Sequence, residues 1–173
     1  MGQIIKVRGI ERLSQDDLRA LETAAGIIDV HPDWLASVMS FESGFNPAAV
    51  NSMSGATGLI QFMPSTARNL GTTTAALKSL SFQAQLPYVI RYFGEKAGLR
   101  SLEDTYLRVF YPAAIGKPTD YVVGPAGSKV YEQNYGFDTA HKGYVTVGDI
   151  TSTIRGVYNR GKASGVVNVY PLA

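Results

Sequence analysis

The sequence predicts a mainly α-helical protein folded as one domain over residues 1–173, and three observations lead there. Apolar residues recur at spacings of three and four in several segments, which is the period of one helix face. Those segments are bounded by residue types that start and stop helices. A chain of 173 residues, 45% of them hydrophobic and without an internal repeat, suits one full core better than two small ones.

Ser14 followed by Asp17 reads as an N-cap with an acidic third position, and Leu18, Leu21, Ala25 and Ile28 then share a face, predicting a helix over 15–28. His31-Pro32-Asp33 breaks the pattern. Trp34, Val38 and Phe41 begin a second helix that ends near Gly44. The stretch NPAAVNSMSGATG is dense in Gly, Asn, Ser and Pro and predicts an irregular loop, after which Pro64-Ser65-Thr66 starts a further helical turn. Phe82, Leu86, Val89, Ile90 and Phe93 predict a helix from about 81 to 97, with Pro87 as a kink or a first-turn residue. LEDTYLRVFYPAA supplies another helix, stopped at or shortly after Pro112. Beyond residue 116 the chain is rich in Gly, Pro and Tyr, a loop-rich wrap with one short helix near 128–134. Ile150, Ile154 and Val157 place a last helix around 149–160.

Charged residues make up 17%, below the roughly 25% typical of soluble domains, so Ser, Thr, Gly, Asn and Tyr must cover much of the surface. The net charge of +2 comes from scattered Lys and Arg, which argues against a nucleic-acid partner. With no cysteine, the fold rests on neither disulfides nor a thiolate metal site. The N-terminus has no signal-peptide core, and no run approaches the ~20 apolar residues of a transmembrane segment. A substrate outside the cytoplasm would have to be reached by some route other than a cleaved signal.

The stretch SVMSFESGFNP carries the first chemical hint. Glu42 closes a run containing Trp34, Leu35, Val38, Met39 and Phe41. A carboxyl in apolar company loses hydration and responds with a raised pKa, near 6 in known pockets of this kind, and a helix C-terminus pushes the same way. Such a group is either an ordinary solvent-facing helix end or an acid kept protonated for a poor leaving group such as a glycosidic oxygen.

The longer segment FESGFNPAAVNSMSGATGLIQFMPSTA resembles the signature of the soluble lytic transglycosylases, goose-type lysozyme-like enzymes that cut bacterial peptidoglycan. Glu42-Ser43 matches the family's Glu-Ser pair, and Gly58-Leu59-Ile60-Gln61-Phe62-Met63-Pro64 matches its Gly-Leu-Ile-Gln-x-Met-Pro segment. The resemblance is close over 33–70 and looser to about 135, and it is strongest to the compact forms carried by bacteriophages and prophages. It implies a lysozyme-like fold with a loop-rich C-terminal part. It also implies that Glu42 alone protonates the oxygen between N-acetylmuramic acid (MurNAc) and N-acetylglucosamine (GlcNAc), then takes the C6 hydroxyl proton as a 1,6-anhydro ring closes. A hydrolytic muramidase and a weakly active glycan-binding virion component stay open beside that reading.

By the same resemblance, Ser43 would orient sugar groups or bond backbone, and Gln61 would bond an acetamido group or the backbone of the cleft. Met63 would form an apolar wall against sugar or core, with Phe62 on the core side. The family's Ala-Tyr-Asn-Ala-Gly motif has its best counterpart in Phe110-Tyr111-Pro112-Ala113-Ala114, where Pro112 and Ala114 replace Asn and Gly. Tyr111 would then hold Glu42 in place. A further tyrosine-bearing segment corresponds to Tyr131 or Tyr135. The implied partners are peptidoglycan glycan strands and, in a particle, other virion proteins. The implied location is a phage virion or host cytoplasm, with action in the periplasm.

DTAHKGYVTVGD, Asp138 to Asp149, follows the twelve-residue calcium-loop frame of an EF-hand at its first, sixth and last positions. The third and fifth positions should supply side-chain oxygens and are Ala140 and Lys142. Calcium is not expected there; the Lys142 ammonium is expected beside Asp138 or Asp149, keeping the loop's shape without an ion. His141 and His31 make no zinc site. The sequence thus calls for no cofactor.

Overall fold

A computed structural model describes residues 1–172. The chain is mainly helical, as its sequence predicts, with about half of its residues in eight helices among those described. α1 runs Gln15–Ile28, and its start is the capping box anticipated from Ser14 and Asp17, each side chain bonded to the other's backbone N–H. α2 spans Pro32–Ser43, with Pro32 in the first turn, where its missing N–H leaves no bond unmade. Leu35 to Ser40 are six consecutive buried residues, so α2 is wrapped on all sides, by α1 and by elements further along the chain. Its two buried hydroxyls are satisfied locally: Ser37 donates to Asp33 O at 2.7 Å and Ser40 to Arg8 O at 2.7 Å.

After α2 come a non-helical wing over residues 44–63 and two short helices, α3 (Pro64–Asn69) and α4 (Thr74–Lys78). The second of these was not anticipated; Thr73 caps it by accepting from Ala76 N–H. α5 spans Phe82–Phe93 and ends at Gly94, earlier than the expected 97, because Gly94 leaves the helical region. Pro87 lies in its interior and is exposed. α6 covers Leu102–Phe110 and stops before Pro112, and α7 is the short helix expected near 130, Lys129–Asn134. α8 is longer at both ends than the expected 149–160, running Val147–Ala163, since Thr146 and Asp149 form a second capping box.

The strands were the part not foreseen. β1 (Gly2–Ile5) pairs antiparallel with β4 (Val166–Val169), bringing the two ends of the chain together, and β2 (Val122–Gly124) pairs with β3 (Val145–Thr146). The buried apolar side chains form one cluster running from Ile4 to Val169, with α2 packed on α1, α6, α8 and β1. No helix among the described residues is long and apolar enough to cross a membrane.

Candidate functional site

The end of α2 is fixed from two sides. Gly44 takes a left-handed conformation, φ 59°, and Phe45 follows at φ 61°, so the chain turns sharply away just after Ser43. Across this end, Arg8 donates from its guanidinium to Ser40 O at 3.1 Å. Glu42 is thereby held in the last turn, and it is only partly accessible to solvent.

The wing that faces it is built by backbone bonds and by one buried glutamine. Thr57 and Phe62 exchange N–H···O bonds at 3.0 and 2.8 Å, Gly58 N–H reaches Ala49 O at 2.9 Å, and Asn51 N–H reaches Ala56 O at 2.9 Å. From below, the Gln85 side chain on α5, fully buried, accepts from Leu59 N–H at 2.6 Å and donates to Pro47 O and Leu77 O at 3.0 and 2.9 Å. Gln85 also explains the glycine of the Gly-Leu-Ile-Gln segment. Gly58 has φ 89°, and a Cβ there would stand 2.4 Å from the Gln85 amide oxygen.

Between these parts lies an open cleft of about 340 Å³. Glu42 lines it from α2, Asn51, Ala56, Gln61 and Met63 from the wing, and Val109 and Phe110 from α6. Among these lining residues Glu42 is the one titratable group. Burial alone pushes its carboxyl up to about 7, with no donor or cation to offset the loss of hydration. The rise is somewhat larger than the sequence suggested.

Of the residues singled out from the sequence, Glu42, Gln61 and Met63 come together in this cleft. Gln61 uses its amide nitrogen within the wing, donating to Gly58 O at 3.1 Å and Ala49 O at 3.3 Å, and its amide oxygen accepts no hydrogen bond among the described residues. Met63 is 45% exposed, whereas Phe62 is buried and meets Tyr92 edge to face. The Ser43 hydroxyl bonds backbone, to Leu59 O at 2.9 Å and Met39 O at 3.2 Å, and so ties α2 to the wing. Tyr111 caps α6, outside the residues that line the cleft. The Tyr131 hydroxyl donates to Asp138 at 3.1 Å, again away from the cleft, while Tyr135 is 70% exposed.

Two other tyrosines sense Glu42. Burial raises the Tyr106 phenol and the Glu42 charge adds to it; for Tyr92, burial raises, the Arg108 guanidinium opposes, and Glu42 again raises. Tyr106 is 1% exposed, and Tyr92 donates to Arg108 O at 2.7 Å. A signal for Tyr106 was available: it lies four residues after Leu102 and four before Phe110, on the apolar face of α6.

The calcium-like loop holds an ion pair. Lys142 Nζ lies 2.6 Å from Asp149, one of the two partners expected for it. Asp138 accepts from Lys142 N–H, Gly143 N–H and the Tyr131 hydroxyl at 2.9, 2.7 and 3.1 Å. No cluster of three or more metal-ligating side chains occurs among the described residues.

Residues 20–84 match the family model of the transglycosylase SLT domain. That stretch runs from within α1 to the first turn of α5 and contains Glu42, Ser43 and the whole wing. The match covers somewhat more than a third of the chain and supports the resemblance to the soluble lytic transglycosylases, and the helical architecture is consistent with the SLT lysozyme-like fold. The match supports transglycosylase-type action on peptidoglycan in general terms. Among curated proteins, none matches the chain.

Proposed function

We propose that the protein is a peptidoglycan lytic transglycosylase that cleaves the MurNAc–GlcNAc β-1,4 bond with Glu42 as its general acid and base. Glu42, protonated below about pH 7, gives its proton to the glycosidic oxygen as the bond to C1 breaks. The muramic C6 oxygen bonds to C1, and its proton passes to the Glu42 carboxylate, so the acid is restored and no water is consumed. Met63 and Phe110 offer apolar contact to sugar faces, and the unpaired Gln61 oxygen offers an acceptor for an acetamido N–H. Tyr92 and Tyr106 shape the surroundings of the carboxyl.

The observation that carries this reading is the solitary carboxyl in the cleft, raised by burial. Hydrolysis through the usual pair of carboxyls needs a second one roughly 5–10 Å away. The cleft lining supplies none, and the Asn51 side-chain oxygen is already taken by Met53 and Ser54 N–H. By resemblance the setting is a phage, with the enzyme acting during infection or at lysis, in contact with virion proteins or free in the host cytoplasm before it meets the periplasmic wall.

Mass spectrometry of soluble fragments released from purified peptidoglycan tests the proposal. Fragments one water lighter, ending in 1,6-anhydroMurNAc, are expected. Ordinary reducing ends would overturn it in favour of a muramidase, and strand binding without release would make the protein a glycan-binding component.

A further inference from the structure

A second concavity, of about 680 Å³, opens on the other side of the α2 C-terminus, roughly twice the volume of the Glu42 cleft. An aromatic wall separates the two. Phe41, which lines the groove, meets Tyr106 edge to face at 5.5 Å, and Tyr106 stacks at 5.8 Å on Phe110, which lines the cleft.

The lining of the groove is mixed in a particular way. Lys6, Arg8 and Arg160 bring three cations to it, and none has a carboxylate within salt-bridge distance among the described residues. Glu11 is the one anion. Val7, Val157 and Val167 supply apolar surface between the charges, and Gly161 lets α8 approach the end of β1 and the segment after it so closely that a Cβ there would stand 2.6 Å from Val7 and 3.1 Å from Ile5. Neutral sugars give three cations nothing to pair with. An anionic polymer such as a polyphosphate would leave the valines and Glu11 without a role.

We propose that this groove binds the carboxylate-bearing stem peptides of peptidoglycan. The inference rests on the peptidoglycan reading above. Stem peptides alternate carboxylates with alanine methyls and carry one diamino residue, so the cations take carboxylates, the valines take methyls and Glu11 takes the ammonium. The groove thereby adds a peptide contact to a strand whose sugars belong to the Glu42 cleft.

Calorimetric titration of the full chain with a free stem tetrapeptide tests this without any need for cleavage. Saturable binding is expected, weakened roughly tenfold in the double variant Lys6→Glu, Arg160→Glu, whose side chains are exposed. Glu11→Gln should weaken binding of the diamino peptide and leave a peptide with alanine at that position unchanged, a difference that misfolding cannot produce. The double variant should still cut strands stripped of their peptides. Absence of saturable binding, equal binding by the charge-reversed variant, or preference for polyglycerol phosphate over the peptide would overturn the proposal. Peptide binding without strand cleavage would instead count against the Glu42 reading alone.

Discussion

Glu42 and Asp138 are both acidic side chains withdrawn from water, and their surroundings drive them in opposite directions. Glu42 loses hydration and gains no donor, so its carboxyl rises to about 7. For Asp138, burial also works upward, but the Lys142 and Gly143 N–H groups, the Tyr131 hydroxyl and the Lys142 charge overcome it and hold the carboxyl below its ordinary value. Withdrawal from water is therefore not by itself a mark of catalysis. The first carboxyl is left able to give and take a proton, and the second is locked as an anion that organises a loop.

The sharpest way to break this contrast is Glu42→Gln, which keeps size and removes the exchangeable proton. Strand cleavage should fall by about 10³-fold or more, with glycan binding kept. For the unmodified protein, kcat/KM should decline above about pH 7, as the acid form of Glu42 is lost. Retained cleavage in the variant would remove Glu42 from the mechanism.

The same substitution has an effect on stability whose sign follows from the raised pKa. Below pH 4.5 the carboxyl is protonated in folded and unfolded chains alike and contributes no difference. As the pH rises, the unfolded chain releases its proton near 4.5 while the folded chain retains it to about 7, so stability falls across that window and the loss is complete above it. At about 1.4 kcal/mol per unit, the penalty approaches roughly 3 kcal/mol. Glu42→Gln should therefore be more stable than the unmodified protein at pH 8 and equal to it at pH 4, as read from denaturant titrations. Equal stability at both pH values would mean that Glu42 is well solvated.

These two carboxyls also show what was legible in the chain. Glu42 could be read because it closes an apolar run on one helix, with Val38 and Met39 one turn before it, and a helix end signalled by Gly44 is a local event. The capping box of α1 is local in the same way. Tyr111 stood out because it sits in a recognisable pentapeptide, yet the tyrosines that feel Glu42 are Tyr92 and Tyr106, brought in by the packing of α5 and α6. The role of Gln85 was hidden too, although a glutamine directly before Leu86 on an apolar face was a signal that the wing above it needed a partner. The pairing of Gly2–Ile5 with Val166–Val169 has no local signature at all, because each strand is short and its partner lies at the opposite end of the chain.

Asp138→Asn tests the other side of the comparison with a smaller expected effect. Asp138 Oδ1 accepts from Lys142 N–H, and Oδ2 from Gly143 N–H and the Tyr131 hydroxyl. An asparagine has one acceptor oxygen, so in either orientation its NH2 faces a backbone N–H. The thermal midpoint should drop by about 5 °C with cleavage unchanged. The stabilising contribution of this aspartate is present above its ordinary value of 3.8 and is lost as the pH falls through the lower folded value, the reverse of Glu42. An unchanged midpoint would mean that the loop does not depend on the anion.

Lys142→Met asks how much of that loop the lysine itself supports, and here the smallest change is expected. The lysine side chain pairs with Asp149, but Asp149 keeps the Thr146 N–H and hydroxyl bonds of the α8 capping box, at 2.7 and 2.8 Å, without it. The Lys142 bond to Asp138 comes from its backbone N–H and survives the substitution. An exposed ion pair contributes little on its own, so the midpoint should move by no more than about 2 °C. A loss as large as that of Asp138→Asn would show the ammonium to be the organising charge, standing where a calcium ion would stand in a loop of this frame.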